Sequence, residues 1–252
     1  MIRGLYTSAI GMKTQFEKMD ILTNNLANVD TTGYKKDIVV SRSFPEELTK
    51  RIQDRKNGFS NNRNIGNMSL GLYIDEIYTS YVQGALKQTN DPLNLAIQGK
   101  AFFAIETEDG IEKYTRDGSF VLGPDGRLMT KEGNTVLGEN GAIRLEQGDV
   151  RIDESGNIYV NDEYIDRLRI LEFENPESLR KVGDNLLERT EATAEKNVES
   201  QIMQGFVEGS NVNVVREMVD MITATRIYEA NQKAIQTHDE TLGKAVNEVG
   251  KI

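Results

Sequence analysis

Two apolar stripes, one near each end of the chain, restrict its possible folds more than any other feature of the sequence. The first stripe, which Phe16 joins at a half-step position, recurs every seven residues through Leu5, Met12, Met19 and Leu26. The second stripe has the same period and runs through Val214, Met221, Tyr228, Ile235 and Leu242. A seven-residue period places side chains along one side of an α-helix, and such a stripe needs a packing partner. We therefore predict helices over residues 4–28 and 212–249.

The column that accompanies the second stripe, four residues further on, is half polar. It contains Met218, Thr225, Gln232, Asp239 and Val246. Because each buried polar group must be paired or costs free energy, this helix is poorly suited to a self-contained two-stranded coiled coil. We expect a partner wider than one helix, and we expect both ends to be largely disordered in an isolated subunit until several copies pack together.

The middle of the chain consists of short β-branched and aromatic runs separated by turn signals such as Asp117-Gly118 and Asp125-Gly126. This texture is typical of an all-β domain. The predicted strands are residues 101–107, 119–122, 127–130, 143–145, 158–160 and 168–173, followed by a short helix over 176–182. The predicted fold class is α+β, in which the N- and C-terminal helices form a discontinuous, coiled-coil-like unit and the middle domain is β-rich.

Composition suggests where these parts begin and end. We expect a terminal helical unit for polymerisation over residues 1–35 plus 208–252, and a β-rich outer domain over residues 73–187. The segments 36–72 and 188–207 are predicted to be connectors. Their polar stretches make a stable element unfavourable for a segment that stands alone.

Several classes of protein do not fit the sequence. A formal charge of −10 argues against a nucleic-acid binder, because phosphate contacts require a concentrated basic surface. Without cysteine the chain has no disulfide framework and no thiolate metal site. We expect neither a cleavable signal peptide nor membrane insertion, since no run of about 20 apolar residues is present.

The sequence contains no motif typical of a catalytic, metal or cofactor site. His238 is the only histidine, and we expect it to be solvated or to lie in an interface. Because a carboxylate pair can occur anywhere among 40 acidic residues, an all-β cell-wall-acting hydrolase stays an alternative, as does a secreted binding module. Neither alternative has a motif of its own, so we predict that the chain is not an enzyme.

Polar residues and a glycine mark the inner ends of the two predicted helices. Where the first helix ends, we expect backbone groups to be satisfied by Asn24, Asn25 and Asn28, and Gly33 to adopt a left-handed conformation. Asn211, beside Ser210, is predicted to cap the start of the last helix.

Four blocks of sequence, in order, cover most of the chain. They are NNLANVDTTGYK (24–35), LNLAIQGKAFFAI (93–105), YTRDGSFVLGPDGRLMT (114–130) and EGSNVNVVREMVDMI (208–222), the last followed by RIYEANQKAIQTHDETL (226–242). This set resembles the signature of bacterial flagellar rod and hook proteins. Two positions depart from the family pattern: Ile10 replaces a small polar residue, and Ala101 replaces a glycine.

The resemblance implies an axial protein of the flagellar basal body, exported unfolded by the flagellar type III machinery. It further implies a helical tube of identical subunits that joins other rod proteins and the hook protein and carries motor torque. The two stripes would then pack on each other within one subunit or between neighbours. The chain has no room for the extra outer domains of a hook protein, so a rod subunit is favoured, with the distal and proximal types both open.

Overall fold

The computed structural model describes residues 2–51, 63–190, 193–196 and 199–249, and there the chain is an α+β protein. Helix α1 spans Ile2–Ala27. Helix α2 spans Val214–Lys244 and continues into a π-helical turn, Ala245–Val249. Strands fill the sequence between the helices, which confirms the predicted order of an N-terminal helix, a β-rich middle and a C-terminal helix.

The first ten strands are Asp37–Ser43 (β1), Glu47–Arg51 (β2), Arg63–Met68 (β3), Leu72–Thr79 (β4), Leu86–Gln88 (β5), Leu95–Gln98 (β6), Phe102–Glu106 (β7), Glu112–Thr115 (β8), Phe120–Leu122 (β9) and Leu128–Thr130 (β10). The others are Thr135–Gly138 (β11), Gly141–Ala142 (β12), Val150–Ile152 (β13), Asn157–Val160 (β14), Glu163–Arg167 (β15), Ile170–Phe173 (β16), Arg180–Gly183 (β17), Leu186–Glu188 (β18), Glu195–Lys196 (β19), Gln201–Gln204 (β20) and Phe206–Glu208 (β21).

The chain forms two compact units. The first, here called the helical unit, contains Met1–Asn24, Asp37–Tyr78 and Val215–Ile252. The second, here called the β unit, contains Asn25–Lys36 and Thr79–Val214. Strands β2 and β3 of the helical unit pair as an antiparallel hairpin, and β1 pairs with β4.

The β unit is built on a ten-stranded sheet with the order β17-β18-β8-β7-β11-β10-β9, to which β12, β16 and β19 attach. A separate antiparallel sheet contains β13, β14 and β15. Two further antiparallel pairs join distant parts of the sequence. Strand β5 pairs with β21, and β6 pairs with β20.

Strand β7 lies at the centre of the sheet and is buried on both faces. Phe103 packs edge-on against Phe120 in one apolar cluster, with 5.1 Å between ring centroids. Phe102 faces a second cluster that contains Tyr114 and Phe173. Successive side chains of a strand point to opposite faces, so a pair of adjacent phenylalanines supplies both layers of the core.

The structure differs from the sequence prediction in the segments expected to be connectors. Strands β1, β2 and β3 lie within 36–72, and β19 and β20 lie within 188–207, where β21 also begins. Residues 52–62 of the first segment are outside the described residues. Polar composition argued against stable elements for isolated segments. Here, distant strands provide backbone hydrogen-bond partners, as β6 does for β20.

Two smaller predictions of local structure are wrong. The predicted helix over 176–182 is only a 3₁₀ turn, Pro176–Ser178, after which the chain enters β17 and pairs with β18. The predicted strand over 143–145 does not form, although Ile143 and Leu145 are buried and each donates one backbone hydrogen bond. The other predicted strands agree with β7, β9, β10, β14 and β16 to within two residues at each end.

In the helical unit, α1 and α2 contact each other in antiparallel order. A Cβ added at Gly4 would lie 2.7 Å from Nε2 of His238, and one added at Gly11 would lie 3.0 Å from Nδ2 of Asn231. Met19, further along α1, accepts a hydrogen bond from Thr225 Oγ1 at 3.5 Å. The two glycines therefore allow the helices to approach closely where larger residues would separate them.

The column that accompanies the α2 stripe is not the predicted one. Residues 218, 225, 232, 239 and 246 are all exposed. The less exposed column lies three residues after the stripe instead of four, and it contains Glu217, Ala224, Asn231, His238 and Ala245. Because His238 and Asn231 face glycines on α1, small residues on one helix make room for polar ones on the other.

The stripes themselves are half-buried, with one exception. Leu5, Met12 and Met19 of α1 and the second stripe of α2 are all of intermediate exposure. Phe16 is 54% exposed, and its packing against the second stripe, of the same or a neighbouring subunit, stays a prediction. Ile10, one of the two departures from the family pattern, faces Gly71, where an added Cβ would lie 2.9 Å from Ile10 Cγ2.

Replacing Gly4 by alanine is expected to stabilise α1 less than Gly243→Ala stabilises α2. A glycine-to-alanine change in a helix gains up to about 1 kcal/mol. No atom lies within 4 Å of a Cβ at Gly243, whereas His238 blocks the one at Gly4. Thermal unfolding followed by far-UV circular dichroism measures both changes. In a His238→Ala background the two gains should become similar, and equal gains in the parent chain would contradict the close approach.

Candidate functional site

The turn that follows α1 is the first part of a buried polar junction in the β unit. Tyr34 donates its hydroxyl proton to Asn25 Oδ1 at 3.0 Å, and both side chains are buried. Thr31 Oγ1 donates to Asn28 Oδ1 at 3.2 Å. Gly33 has φ 68°, the left-handed conformation predicted for it, and an added Cβ would overlap the backbone of Arg116 and Asp117. Turn chemistry thus brings Lys35 into the interior.

The C-terminal block meets this turn through β21. The backbone N–H of Gly33 donates to the carbonyl oxygen of Glu208 at 2.7 Å. Gly209 N donates to Ala85 O at 2.9 Å, continuing the pairing of β21 with β5. The first and last signature blocks are therefore hydrogen-bonded to each other and to the β unit.

Three charged side chains meet at the centre of the junction. Glu208, only 1% exposed, accepts from Lys35 Nζ at 2.5 Å and from Arg116 Nη1 at 3.3 Å. Gly84 N also donates to Glu208 Oε1, at 2.8 Å. Backbone carbonyls accept two further hydrogen bonds from the cluster. Lys35 Nζ donates to Val82 O at 2.9 Å, and Arg116 Nη2 donates to Gly99 O at 2.8 Å. Such additional hydrogen bonds are what a buried ion cluster needs to offset its desolvation.

Burial and ion pairing act on these groups in opposite directions. Loss of water around the ammonium lowers the pKa of Lys35, and the carboxylate of Glu208 partly opposes that shift. Burial likewise lowers the pKa of Arg116, against the attraction of Glu208. The carboxylate of Glu208 therefore pairs with two buried cations, Lys35 and Arg116.

Asn211 joins three segments and does not cap α2, which begins three residues later at Val214. Its Nδ2 donates to Ser80 O at 2.7 Å and to Val82 O at 3.0 Å. Its Oδ1 accepts from Lys36 N at 2.8 Å. Ser210 Oγ accepts from Val212 N at 3.3 Å, inside the same loop. The predicted cap thus links the last signature block to Lys36 and to residues 80–82, between β4 and β5.

A turn between β17 and β18 covers the junction. Lys181 Nζ donates to Lys35 O at 2.7 Å and lies 4.8 Å from the centre of the Tyr34 ring. Asn185, which has φ 56°, donates to Thr32 O at 3.0 Å. Thr32 in turn donates to Asp117 Oδ1 at 2.7 Å. The turn after α1 is therefore held by hydrogen bonds from Lys181 and Asn185 and to Asp117.

A cleft of about 280 Å³ lies beside Arg116 in the β unit. Glu172 and Glu174 both line it. Glu172 is buried, accepts from Glu199 N at 3.3 Å and lies 3.8 Å from Lys196 Nζ. These contacts hold the Glu172 side chain in place, so its carboxylate supports the fold.

The described residues offer neither a metal site nor a membrane-spanning helix. Among residues 2–51, 63–190, 193–196 and 199–249, no group of three or more His, Cys, Asp or Glu side chains could hold a metal ion. No helix in the described part of the chain is long and apolar enough to cross a membrane. The predicted turn residues Asn25, Asn28 and Gly33 lie together in the junction, as does Asn211. Lys35, Arg116 and Glu208 were missed, although each is a charged residue inside a signature block.

The ion pairs and hydrogen bonds of Lys35, Arg116 and Glu208 join distant segments of the chain, which is a structural role. Three family models agree. Flagella basal body rod protein matches residues 5–35, flagellar hook protein FlgE/F/G D1 domain matches 96–160, and flagellar basal body rod FlgEFG protein C-terminal matches 203–248. Each matched segment contributes one member of the buried cluster: Lys35, Arg116 and Glu208.

Full-length relatives carry the same identification. Flagellar hook-basal body complex protein FlhO of Bacillus subtilis (strain 168) is 30% identical over 271 residues, which covers 100% of both chains. Flagellar basal-body rod protein FlgG of Borreliella burgdorferi is 36% identical over 265 residues, or 98% of each chain. FlgG of Buchnera aphidicola subsp. Schizaphis graminum is 34% identical and covers 97% of this chain and 98% of its own. The chain belongs to the flagellar basal-body rod family, whose members are structural proteins and not enzymes.

Proposed function

We propose that the chain polymerises with copies of itself into a helical tube that transmits motor torque to the hook. The tube would stand in the flagellar basal body and join other rod proteins at its ends. We further propose that the subunit reaches this place unfolded, through the flagellar type III export machinery and without a cleaved signal peptide.

The observation that carries this proposal is the buried junction. Both terminal helices are covalently continuous with it, because α1 ends at Ala27 and α2 begins at Val214. A load carried along either helix therefore enters the β unit beside Lys35 or beside Glu208, which are paired to each other. In the low dielectric of the interior this ion pair is screened little by salt. Such a connection suits a subunit whose task is to stay stiff.

We assign polymerisation to the terminal segments 1–35 and 208–252, with α1 and α2 pairing as an antiparallel, coiled-coil-like core. The contacts of Gly4 with His238 and of Gly11 with Asn231 support this pairing. We assign the outer wall of the tube to the β-rich region 73–187. Strands β1–β3 belong to the helical unit, so the region predicted as the first connector also contributes to the core of the subunit.

Purified full-length protein is expected to sediment as polymer above a critical concentration, and Met12→Asp is expected to keep it monomeric. Met12 is half-buried in the α1 stripe, where a carboxylate would have to be desolvated. The matched control is Lys13→Asp, because the Lys13 side chain is 76% exposed and its partner Glu17 lies at the surface. This control should pellet like the parent chain.

Genetic complementation gives the same test in the cell. The parent chain and Lys13→Asp should restore swimming to a strain that lacks this protein, whereas Met12→Asp should not. A parent chain that stays monomeric at every concentration, or motility restored by Met12→Asp, would contradict the proposal.

A further inference from the structure

The turn between β11 and β12 contains an Asn-Gly step, Asn140–Gly141. Asn140 is exposed, and nothing lies within 4 Å of a Cβ added at Gly141. Because glycine has no side chain, it leaves its backbone nitrogen open to approach by the amide of a preceding asparagine. The other Asn-Gly step of the sequence, at 57–58, is outside the described residues.

A buried carboxylate holds the amide group of Asn140. Asn140 Nδ2 donates to Asp166 Oδ1 at 2.8 Å, and Asn140 N donates to Asp166 Oδ2 at 3.4 Å. Asp166 is 6% exposed, and its Oδ1 also accepts from Arg167 N at 2.8 Å. The bond from Nδ2 restrains rotation of the Asn140 side chain about its own axis, and such rotation is needed to bring the amide carbon to Gly141 N.

The amide and the carboxylate lie at a seam between two sheets. Strand β11 belongs to the ten-stranded sheet, and β15 belongs to the sheet of three strands. Beside the pair, Glu139 N donates to Arg167 O at 2.9 Å, and Gly138 forms an isolated bridge with Leu168. Arg167 Nη1 lies 3.4 Å from Glu139 Oε1, so this neighbouring cation already has a carboxylate partner.

We propose that Asn140 is a site of spontaneous deamidation and that Asp166 restrains the reaction. The nitrogen of Gly141 forms a bond to Asn140 Cγ and loses its proton, and the side-chain nitrogen takes up a proton and leaves as ammonia. Water then opens the succinimide ring, which leaves aspartate or isoaspartate at position 140. The reaction consumes one water, releases one ammonia and changes no oxidation state. It is independent of the proposed polymer.

The product weakens the seam between the sheets. The amide that donates to Asp166 becomes a carboxylate, so two negative charges lie at hydrogen-bond distance, and one of them is buried. Such a pair disfavours ionisation of both groups. Isoaspartate also lengthens the backbone within the turn, which disturbs the pairing of Gly138 with Gly141. The contact between the two sheets is therefore expected to loosen as a subunit ages.

Peptide mapping by mass spectrometry measures the reaction in full-length folded protein kept at mildly alkaline pH. Asn140 is expected to convert, more slowly than in the same chain in urea. Asp166→Ala should raise the rate at Asn140 several-fold without changing the rate at 57–58. The matched control is Asp153→Ala, which removes a carboxylate that accepts from Asn157 Nδ2, also at 2.8 Å, and should leave the rate at Asn140 unchanged.

Two results would overturn the proposal. One is an unmodified Asn140 in the folded protein after the chain in urea has converted completely. The other is an equal rate at Asn140 in the parent and in Asp166→Ala, with both folded by circular dichroism. If Asp166→Ala does not fold, Asp166→Asn takes its place, because a neutral oxygen holds the amide less tightly than a carboxylate does.

Asn140→Asp tests the consequence directly. Its control is Asn140→Ala, which loses the side-chain hydrogen bond without adding a charge. At neutral pH, Asn140→Asp should lower the folding equilibrium constant about tenfold more than Asn140→Ala, the factor that corresponds to one pKa unit. Urea unfolding of both variants measures the difference, and equal stabilities would overturn the proposed loosening of the seam.

Discussion

Replacing Glu208 by glutamine is expected to lower the free energy of unfolding of the β unit by about 3–5 kcal/mol. The substitution keeps the shape of the side chain and removes the one carboxylate that faces both Lys35 and Arg116. Two buried cations would then lack their counter-charge, and neither can reach water without breaking backbone bonds. Urea unfolding of the full-length chain, followed by tyrosine fluorescence, measures the change.

The matched control is Glu188→Gln. Glu188 also pairs with an arginine, Arg180, at 2.6 Å, but the Arg180 side chain is 70% exposed. Exposed ion pairs contribute about 0–1 kcal/mol, so this control should lose little stability. Similar losses in the two variants would show that the buried cluster is no more important than a surface ion pair.

The second large effect is expected for Gly33→Ala, which should destabilise the β unit by about 2–5 kcal/mol. An alanine at φ 68° has an unfavourable backbone conformation, and its Cβ would also overlap the backbone of Arg116 and Asp117. Neither backbone segment can move easily, because Arg116 is bonded to Glu208 and Asp117 to Thr32. The same urea titration gives the loss.

Gly110→Ala separates the two causes. Gly110 has φ 72°, nearly the same backbone conformation, and nothing lies within 4 Å of an added Cβ. The free energy of unfolding of this variant should fall only by the conformational cost of about 1–2 kcal/mol. If both alanine variants lost the same free energy of unfolding, the steric overlap at the junction would have no effect on stability.

The heptad period predicted both helices and the half-buried stripes, but it did not predict which second column faces a partner. Columns at three and at four residues after the stripe lie on either side of it, and the heptad period alone does not choose between them. The less exposed column instead contains Asn231 and His238, because Gly11 and Gly4 leave room for them on the other helix. That choice depends on a partner sequence and is not readable from one helix.

The same reasoning explains why the junction was only half predicted. Gly33 and Asn28 act locally, and local turn chemistry identified them. Lys35 and Glu208 are 173 positions apart, so their pairing leaves no local pattern. Asn211 was assigned to the nearest helix start, whereas its actual partners are backbone groups of Ser80, Val82 and Lys36.

The pairing of β5 with β21 and of β6 with β20 has a consequence for how the molecule can come into being. A nascent or threaded chain that advances with Met1 leading presents residues 86–98 long before residues 201–208 arrive to occupy their edges. Strands β5 and β6 therefore cannot complete their native pairing until nearly the whole polypeptide is available. A prematurely terminated product would expose the unpaired edges of β5 and β6 and leave Lys35 without Glu208. Such a product should be susceptible to proteolysis.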